Sequence, residues 1–298
     1  MLKLSGVNKS FGSKHVIKDL SFSVSENDIY GFIGQNGAGK TTTMKMILGL
    51  YKADSGSIYV GGEKVAYGQT STNRYIGYLP DVPEFYGYMT PTEYLRLCGE
   101  ITGISDSLLK KRIRELLETV GLEKAEKRIH GFSRGMKQRL GIAQALLNQP
   151  KLLICDEPTS ALDPMGRKEI TDILRNLRNK TTVVFSSHIL SDVERICDRV
   201  GLLNNGSLVL EGKLDEIRAK RGSDGFELEF QSSADTERFM SLYKGGERTE
   251  KTRLIYPGKS EKDMSDAMRL LYESRIYPLK LEMREPTLES LYLEVVGK

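Results

Sequence analysis

Hydrophobic and polar residues alternate over short stretches at the start of the chain, with the two-residue period of half-buried strands. These stretches are LKLSGVNKSF, HVIKDLSFSV and DIYGFIG. A helical period follows the glycine-rich segment after them, because apolar residues then recur three or four positions apart. The residues of this helical face are Met44, Ile47, Leu48 and Tyr51. GSIYVGG and YIGYLP predict two further strands.

Residues 91–148 have a helical pattern almost throughout. In the segment SDSLLKKRIRELLETVGL, either Ser105 or Asp106 can cap a helix that Gly121 ends. A second helix is predicted from about Ser133. The apolar face of the first helix consists of Leu109, Ile113, Leu116, Leu117 and Val120.

Strands and helices alternate from residue 151, beginning with KLLIC and TTVVFSS and ending in a hairpin with an Asn205-Gly206 turn. This alternation predicts an α/β domain with a mostly parallel sheet, into which the helical block 91–148 is inserted. After KRGSDG, shorter strand and helix patterns predict a small α+β domain. We therefore expect two domains, residues 1–221 and 222–298.

Composition excludes several classes of protein. The chain of 298 residues is 39% hydrophobic and 28% charged, and no apolar run approaches the ~20 residues of a membrane helix. The first residues have no apolar segment typical of a secretory signal. Three scattered cysteines without CxxC spacing favour reduced cytosolic thiols.

The net charge of +4 is too small to indicate a nucleic-acid partner. Residues 106–139 hold ten basic and five acidic side chains. We favour the solvated face of helices as the explanation, and a surface for anionic lipid headgroups is the alternative.

The segment GQNGAGKT, Gly34 to Thr41, satisfies G-x-x-x-x-G-K-[ST] and lies between a predicted strand and a predicted helix. Glycines let backbone N–H groups converge on phosphate oxygens, and the start of the helix adds its positive dipole end. We expect Lys40 to reach the β- and γ-phosphates and Thr41 to offer its hydroxyl to Mg²⁺. Thr42 either contacts a phosphate or packs within the helix.

Two adjacent acids, Asp156 and Glu157, end the apolar strand LLIC. Two neighbouring buried carboxylates repel each other, so a cation near one of them would explain the pair. With a phosphate loop elsewhere in the chain, Asp156 is suited to hold Mg²⁺ and Glu157 to deprotonate the attacking water. Because adjacent strand residues point to opposite faces, the strand must end between the two acids, and Pro158 fits that break.

The motifs that accompany this loop indicate the kind of nucleotide-binding protein. A GTPase would carry N-K-x-D, but NKSF and NKTT both lack the aspartate. The chain resembles the ATP-binding subunits of ABC transporters over about residues 1–220. The resemblance rests on GQNGAGKTT, FSRGMKQR, LLICDEPTSALDP and SSHIL, in the family's order and with family-like spacing. It implies a P-loop NTPase fold of the ABC type, with a mixed sheet, antiparallel N-terminal strands and an inserted helical subdomain.

The resemblance also implies roles for individual residues. Ser133 and Gly135 match the signature loop, which would close over ATP held by a second copy in a head-to-tail dimer. Glu157 and His188, the family's switch histidine, are the expected catalytic residues. Phe11 falls where the family stacks an aromatic on adenine, although a core phenylalanine is the alternative. The expected ATP contacts are Phe11, Gly34, Asn36, Gly37, Ala38, Gly39, Lys40, Thr41, Thr42, Ser133 and Gly135.

Two segments depart from the family pattern. Asp81 stands where glutamine is usual, and it can still hold a metal-bound water, so the expected metal residues are Thr41, Asp156 and Asp81. The signature loop carries Phe132, Arg134 and Met136 where leucine, glycine and glutamine are common. The charge of Arg134 either faces a phosphate or faces solvent. These variants resemble the branch associated with drug, antibiotic or ion export.

We therefore predict an Mg-ATP-hydrolysing subunit that powers export through a separate transmembrane permease. It would act as a homodimer or heterodimer with a second ATPase subunit, on the cytoplasmic face of the membrane, with no nucleic-acid partner. The aromatic-rich segment DVPEFYGYMTPTEYLRL, residues 81–97, is expected to form part of the groove for the permease, and a loop with core residues is the alternative. The alternative function is a non-transport ABC-type ATPase with a regulatory or nucleic-acid-related role.

Overall fold

A computed structural model describes residues 1–69, 71–221 and 223–296. The chain divides into two compact units, Met1–Leu214 and Asp215–Lys298. The sequence predicts this boundary after residue 221 instead. The difference is helix α7, Leu214–Arg221, most of which groups with the second unit. The sequence LDEIRAKR of α7 contains no glycine or proline, so it gives no local signal that a domain boundary lies at this helix.

An antiparallel sheet covers one side of the first unit. Its strand order is β2-β1-β4-β5, and its outer strand β5 has only two residues. Gly56 in β4 allows close pairing with β1, since a Cβ there would lie 2.3 Å from the Gly6 carbonyl oxygen. The strands are β1 (Leu2–Phe11), β2 (Lys14–Val24), β4 (Ser55–Val60) and β5 (Glu63–Lys64).

A mixed sheet forms the centre of the first unit, in the order β10-β9-β3-β8-β7-β6. Its strands pair in parallel except at the β9–β10 hairpin, where Asn205 and Gly206 both have positive φ as the predicted turn requires. Strand β7, which ends at Asp156, pairs in parallel with β8, which has the sequence TVVFSS. The strands are β3 (Ile29–Ile33), β6 (Ile76–Leu79), β7 (Leu152–Asp156), β8 (Thr182–Ser187), β9 (Arg199–Asn204) and β10 (Ser207–Lys213).

Helices cover the mixed sheet, and the predicted helical block lies between strands β6 and β7 in the sequence. Strands β3, β7 and β8 are buried throughout, which explains their continuous apolar sequences. A core of buried aliphatic and aromatic side chains joins helix α1 to both sheets. The helices are α1 (Lys40–Ile47), α2 (Pro91–Ile101), α3 (Asp106–Thr119), α4 (Arg134–Leu146), α5 (Pro164–Arg175) and α6 (Leu190–Ile196).

The second unit is an antiparallel sheet with helices, in the order β12-β13-β11-β14. Strand β11 alternates buried Phe226, Leu228 and Phe230 with half-buried glutamates, so one face of the sheet packs on helices α8 and α9. The elements are β11 (Phe226–Phe230), α8 (Ser233–Leu242), β12 (Glu247–Glu250), β13 (Arg253–Tyr256), α9 (Glu261–Glu273), β14 (Pro278–Met283) and α10 (Leu288–Val296).

Helix length and the state of the cysteines both bear on the class of protein. Within the described ranges, no helix is long and apolar enough to cross a bilayer. All three cysteines, Cys98, Cys155 and Cys197, are free thiols. Burial raises the pKa of Cys155, which fills space inside strand β7.

Candidate functional site

A cleft of about 620 Å³ opens at the carboxyl end of the mixed sheet, where parallel strands β3, β7 and β8 end. This is where ligands bind in open α/β sheets. Its volume is within the range of small-molecule sites. Most predicted nucleotide and catalytic residues meet here. The lining residues are Phe11, Lys14, Val16, Asn36, Gly37, Gly39, Lys40, Thr41, Thr42, Asp81, Glu157, Ser160 and His188.

The glycines of the loop between β3 and α1 are there for two different reasons. Gly37 and Gly39 have φ angles of 84° and 113°, which side-chain-bearing residues rarely adopt. Gly34 lies against the neighbouring strand, since a Cβ there would be 2.6 Å from the Leu203 carbonyl oxygen. A Cβ on Gly39 would meet Ile17 Cδ1 at 2.4 Å. Substitution at Gly34 or Gly39 would therefore push the loop out of place.

Lys40 begins helix α1, and its side chain turns back into the loop. Its Nζ donates hydrogen bonds to the carbonyl oxygens of Gly34 at 2.5 Å and Gln35 at 3.2 Å. The same nitrogen lies 3.0 Å from Glu157 Oε1, and Lys40 is only 5% exposed. The ammonium group thus makes two hydrogen bonds to loop carbonyl oxygens and an ion pair with Glu157.

Strand β7 ends between the two acids, as predicted. Asp156 is its last residue, and Glu157 has a φ of 49° in the left-handed region, which is strained for a residue with a side chain. Asp156 is buried and its Oδ1 accepts a hydrogen bond from Ser186 Oγ at 2.8 Å. The Glu157 backbone N–H donates to the same hydroxyl oxygen at 3.0 Å. Ser186 thus holds both acids at the end of the strand.

His188 follows strand β8 and contacts Glu157. Its Nδ1 lies 2.7 Å from Glu157 Oε2, and its backbone N–H donates to the same oxygen at 3.4 Å. An ionised carboxylate can only accept, so this contact is a hydrogen bond when Nδ1 carries the hydrogen. Glu157 therefore lies between Lys40 on one side and His188 on the other.

Phe11, at the end of β1, is 46% exposed on the cleft wall, so it is not a core residue. Its ring packs edge-on against Tyr51, with centroids 5.4 Å apart. Thr41 and Thr42, in the first turn of α1, both line the cleft. The cleft wall therefore carries an aromatic ring at Phe11 and two hydroxyl groups at Thr41 and Thr42.

Asp81 reaches the cleft from the loop after β6. Its Oδ1 accepts a hydrogen bond from Arg134 at 3.3 Å. Burial raises the pKa of Asp81, and the negative charges of Asp156 and Glu157 raise it further, while Arg134 and His188 lower it. Asp81 is therefore within electrostatic range of both acids at the end of β7.

Several predicted contact residues do not line the cleft. Within the described part of the chain, these include Gly34, Ala38 and Asp156, and the last two are buried. Ser133 and Gly135 are on the helical block and do not line the cleft of their own chain. Ser133 caps α4 as predicted, since its Oγ accepts from the Met136 N–H at 3.2 Å.

The oxygen atoms around the cleft fit a divalent cation that binds together with a triphosphate. Within residues 1–69, 71–221 and 223–296, no cluster of three or more His, Cys, Asp and Glu side chains could hold a metal by itself. Mg²⁺ usually takes one or two protein oxygens and completes its shell with water and substrate phosphates. The oxygens of Thr41, Asp81 and Asp156 fit that mode. Gly37 has open space around it, as a loop that receives a phosphate needs.

Three lining residues were not found from the sequence. Lys14 and Val16 follow the turn after Phe11, and Ser160 lies three residues after Glu157. The pairing of Phe11 with Lys14 across the β1–β2 hairpin places Lys14 at the cleft. A hairpin prediction at Gly12-Ser13 would have identified Lys14. No local pattern distinguishes Val16 or Ser160 from ordinary strand and loop residues.

Comparisons with known proteins agree with this geometry. Residues 17–160 match the family model described as ABC transporter. The chain is 40% identical over 304 residues to the uncharacterized ABC transporter ATP-binding protein YxlF of Bacillus subtilis strain 168, covering 99% of each chain. It is 38% identical to the bacitracin transport ATP-binding protein BcrA of Bacillus licheniformis, covering 100% of this chain and 97% of BcrA.

Another similar relative is the linearmycin resistance ATP-binding protein LnrL of Bacillus subtilis strain 168, 34% identical over 100% of this chain and 99% of LnrL. Among solved structures, an ATP-binding subunit of an ABC transporter superposes with a TM-score of 0.67 at 34% identity, covering 74% of this chain and 93% of that one. A dimeric ATP-binding cassette in a post-hydrolysis state with ADP and Pi gives 0.64 at 26% identity, covering 72% and 99%.

Proposed function

The chain belongs to the family of ABC transporter ATP-binding proteins, and from this membership we propose that it powers export through a separate membrane-spanning permease. It binds ATP and is an ATPase. The observation that carries the proposal is the meeting of Lys40, Thr41, Glu157 and His188 in one cleft. These four residues come from three separate parts of the sequence and supply complementary chemistry.

The loop Gly34–Thr41 is the phosphate site of this proposal. Lys40 contacts the β- and γ-phosphates after exchanging its present partner Glu157 for phosphate oxygens. The N–H groups at the start of α1 and of the loop add further donors. Phe11 offers its exposed ring to the adenine.

Mg²⁺ fits the oxygen donors of Thr41, Asp81 and Asp156, and when bound it neutralises charge on the phosphates. Asp156 is buried and is held through Oδ1 by Ser186, which leaves Oδ2 for a metal-bound water. Thr41 offers its hydroxyl from the first turn of α1. The chain would thus supply few metal oxygens, and water and the substrate phosphates would supply the rest.

Glu157 is the general base of the proposed reaction. It takes a proton from the water whose oxygen attacks the γ-phosphorus, while the bond to the ADP oxygen breaks. His188 holds the carboxylate through Nδ1, and this contact leaves Glu157 Oε1 for the water once Lys40 has moved to the phosphates. Proton transfer of this kind contributes about 10²- to 10⁴-fold to a rate.

Ser133 and Gly135 serve the nucleotide of a second ATPase subunit, identical or different. Neither residue lines the cleft of its own chain, which supports this assignment. The dimeric cassette among the similar structures supports an ATPase dimer. The two phosphate-binding elements of one chain would then act at two different nucleotides.

An exposed aromatic segment, residues 82–88, is the proposed docking site for the permease. Val82, Tyr86 and Tyr88 are each more than half exposed, and Phe85 packs edge-on against Tyr94 of α2. Aromatic residues at this exposure are enriched at protein interfaces. The segment follows Asp81 directly, so a partner that contacts it would lie beside the loop that reaches the cleft.

Export rather than import is supported by two relatives. BcrA is named for bacitracin transport and LnrL for linearmycin resistance. Resistance follows when a toxic compound is moved outward. We therefore assign an antibiotic-like compound as the transported class and the cytoplasmic face of the membrane as the place of action.

The docking proposal is tested by crosslinking the tagged chain in membranes of its own host and identifying the captured protein by mass spectrometry. We expect a protein with several membrane spans, and we expect Tyr86→Ser with Tyr88→Ser to reduce its capture. Tyr67→Ser is a matched control, because Tyr67 and Tyr88 are each 62% exposed. Equal capture by all variants would contradict the docking site.

A further inference from the structure

Two of the residues that depart from the family pattern contact each other. Asp81 stands in the loop after β6 and Arg134 is the first residue of α4, 53 residues later in the chain. The Arg134 guanidinium donates to Asp81 Oδ1 at 3.3 Å. Glutamine and glycine, the usual residues at these positions, could not form an ion pair. The contact therefore belongs to this combination of residues.

Helix α4 fixes the backbone on which Asp81 lies. The buried Gln138 side chain donates through Nε2 to the Asp81 carbonyl oxygen at 2.6 Å. One turn further along, a Cβ on Gly141 would lie 2.5 Å from Leu79 Cδ1 and 3.4 Å from Pro83 Cβ. The absence of a side chain at Gly141 thus lets the chain on both sides of Asp81 lie close to the helix.

Arg134, Gln138 and Gly141 occupy one face of α4, because residues four and seven positions apart lie on the same side of a helix. Gln138 contacts the backbone of Asp81 and Arg134 contacts its carboxylate. If Arg134 and Asp81 met only by chance at the surface, a buried side chain would not be needed to hold the backbone of Asp81 as well. This face of α4 therefore determines where the Asp81 carboxylate lies relative to the cleft.

We propose that Arg134 is a positioning residue for the nucleotide site of its own chain. It neutralises the Asp81 carboxylate at the edge of the cleft and releases it when the metal–nucleotide complex binds. This inference rests on the proposed function, since it assigns Asp81 to the metal. Arg134 thereby lowers the affinity of the site for the metal. It also makes metal binding depend on the position of α4.

The strength of the pair fits reversible release. The side chains of Arg134 and Asp81 are 42% and 47% exposed, and a single contact joins them. Exposed pairs of this kind contribute little to stability. A divalent cation with a triphosphate can therefore displace the guanidinium, whereas Gln138 keeps the backbone in place.

The experiment measures binding of Mn²⁺, as a spectroscopic substitute for Mg²⁺, to the full-length chain with ATP by electron paramagnetic resonance. All variants carry Glu157→Gln to prevent turnover. We expect Asp81→Asn to weaken Mn²⁺ binding. Arg134→Gln should tighten it by about two- to fivefold, the range for release of one exposed ion pair. In the Asp81→Asn background, Arg134→Gln should have clearly less effect, because only coupled residues are non-additive.

Lys110→Gln is the matched control, since it removes one exposed positive charge from α3 that pairs with Asp106. It should leave Mn²⁺ affinity unchanged. An equal effect of Arg134→Gln with and without Asp81→Asn would overturn the inference and point to direct repulsion or to the nucleotide of a second subunit. ATP-dependent Mn²⁺ binding by the parent protein tests the proposed function separately. If no variant binds Mn²⁺ with ATP, both proposals are wrong.

Discussion

Lys40 Nζ lies 3.0 Å from Glu157 Oε1, so the residue expected to bind phosphate is paired with the residue expected to activate water. Both side chains are largely buried. The lysine also donates to the carbonyl oxygens of Gly34 and Gln35. The carboxylate thus neutralises the lysine where a phosphate would otherwise do so. A nucleotide must displace this carboxylate before Lys40 can contact its phosphates.

The first prediction concerns Glu157→Gln. The amide leaves no negative charge beside Lys40, so nucleotide binding should tighten by about five- to thirtyfold, which corresponds to one or two kcal/mol. Hydrolysis should fall by about 10²- to 10⁴-fold, because an amide cannot take the proton from water. Binding is measured with a fluorescent ADP analogue without metal, and turnover by phosphate release.

ADP without metal is chosen because tighter binding then cannot result from blocked turnover. Glu115→Gln is the control for loss of one negative charge, because Glu115 is exposed on α3 and does not line the cleft. It should change neither quantity. Near-normal hydrolysis by Glu157→Gln would show that another group activates the water.

The second prediction compares two lysines that line the same cleft. Lys40→Met should weaken binding of a fluorescent ATP analogue by about tenfold or more, because a buried charge-assisted contact to phosphate is lost. Lys14→Met should weaken it by no more than about threefold, since an exposed charge is screened by solvent. Circular dichroism confirms that both variants are folded. Equal effects of the two substitutions would contradict the assignment of Lys40.

The third prediction concerns the second unit, where Ser260 and Asp263 form a capping box at the start of α9. Hydrogen bonds from the Ser260 hydroxyl and then its N–H lower the pKa of Asp263 to about 2, from an ordinary 3.8. Because the folded-state pKa is the lower one, this contribution to stability is complete above about pH 4 and is lost between about pH 4 and 2.

Hydrogen exchange of the α9 amides across this pH range measures the effect. Protection should decrease as the pH falls from about 4 to about 2 in the parent chain. Asp263→Asn should remove this dependence. The control Asp266→Asn, in the same helix and paired with Arg269, should keep it. A pH step that persists in Asp263→Asn would show that another acid causes it.

The sequence predicts the parts of the site that depend on neighbouring residues. The glycine-rich loop Gly34–Thr41, the end of β7 between Asp156 and Glu157, and the cap at Ser133 all have local signals. The structure has positive φ angles at Gly37 and Gly39 of this loop, the strand end and the cap. Contacts between distant segments have no such signal. The pairs Lys40–Glu157 and Asp81–Arg134 depend on the order of strands in the sheet and on the packing of α4.

Two strands of the fold also lack a local signal in the sequence. Strand β12, with the sequence ERTE, was not predicted, because all four residues are exposed and no apolar residue marks a buried face. It is the edge strand next to β13, where charged residues discourage pairing with other chains. The two-residue strand β5 was missed because it is too short to show a period. Edge strands that are very short or fully exposed are therefore the least predictable part of this chain.

Gly135 offers a test of the proposed ATPase dimer that does not disturb the chain itself. An ideal Cβ at Gly135 would have no heavy atom within 4 Å, and its φ is not in the left-handed region. A side chain can therefore be added there without strain. Within the described residues, Gly135 does not line the cleft of its own chain. An effect of substitution on nucleotide-dependent behaviour would then come from contact with another subunit.

We predict that Gly135→Asp prevents ATP-dependent dimerisation and leaves binding of ATP to the single chain unchanged. In the Glu157→Gln background, light scattering should detect a dimer with ATP, and Gly135→Asp should weaken it by about tenfold or more, because its carboxylate faces a γ-phosphate of like charge. Gly131→Asp is the control, since a Cβ there meets only Lys127 Cδ, at 4.0 Å. If Gly135→Asp dimerises as well as Gly131→Asp, the signature loop does not cover the nucleotide of a second subunit.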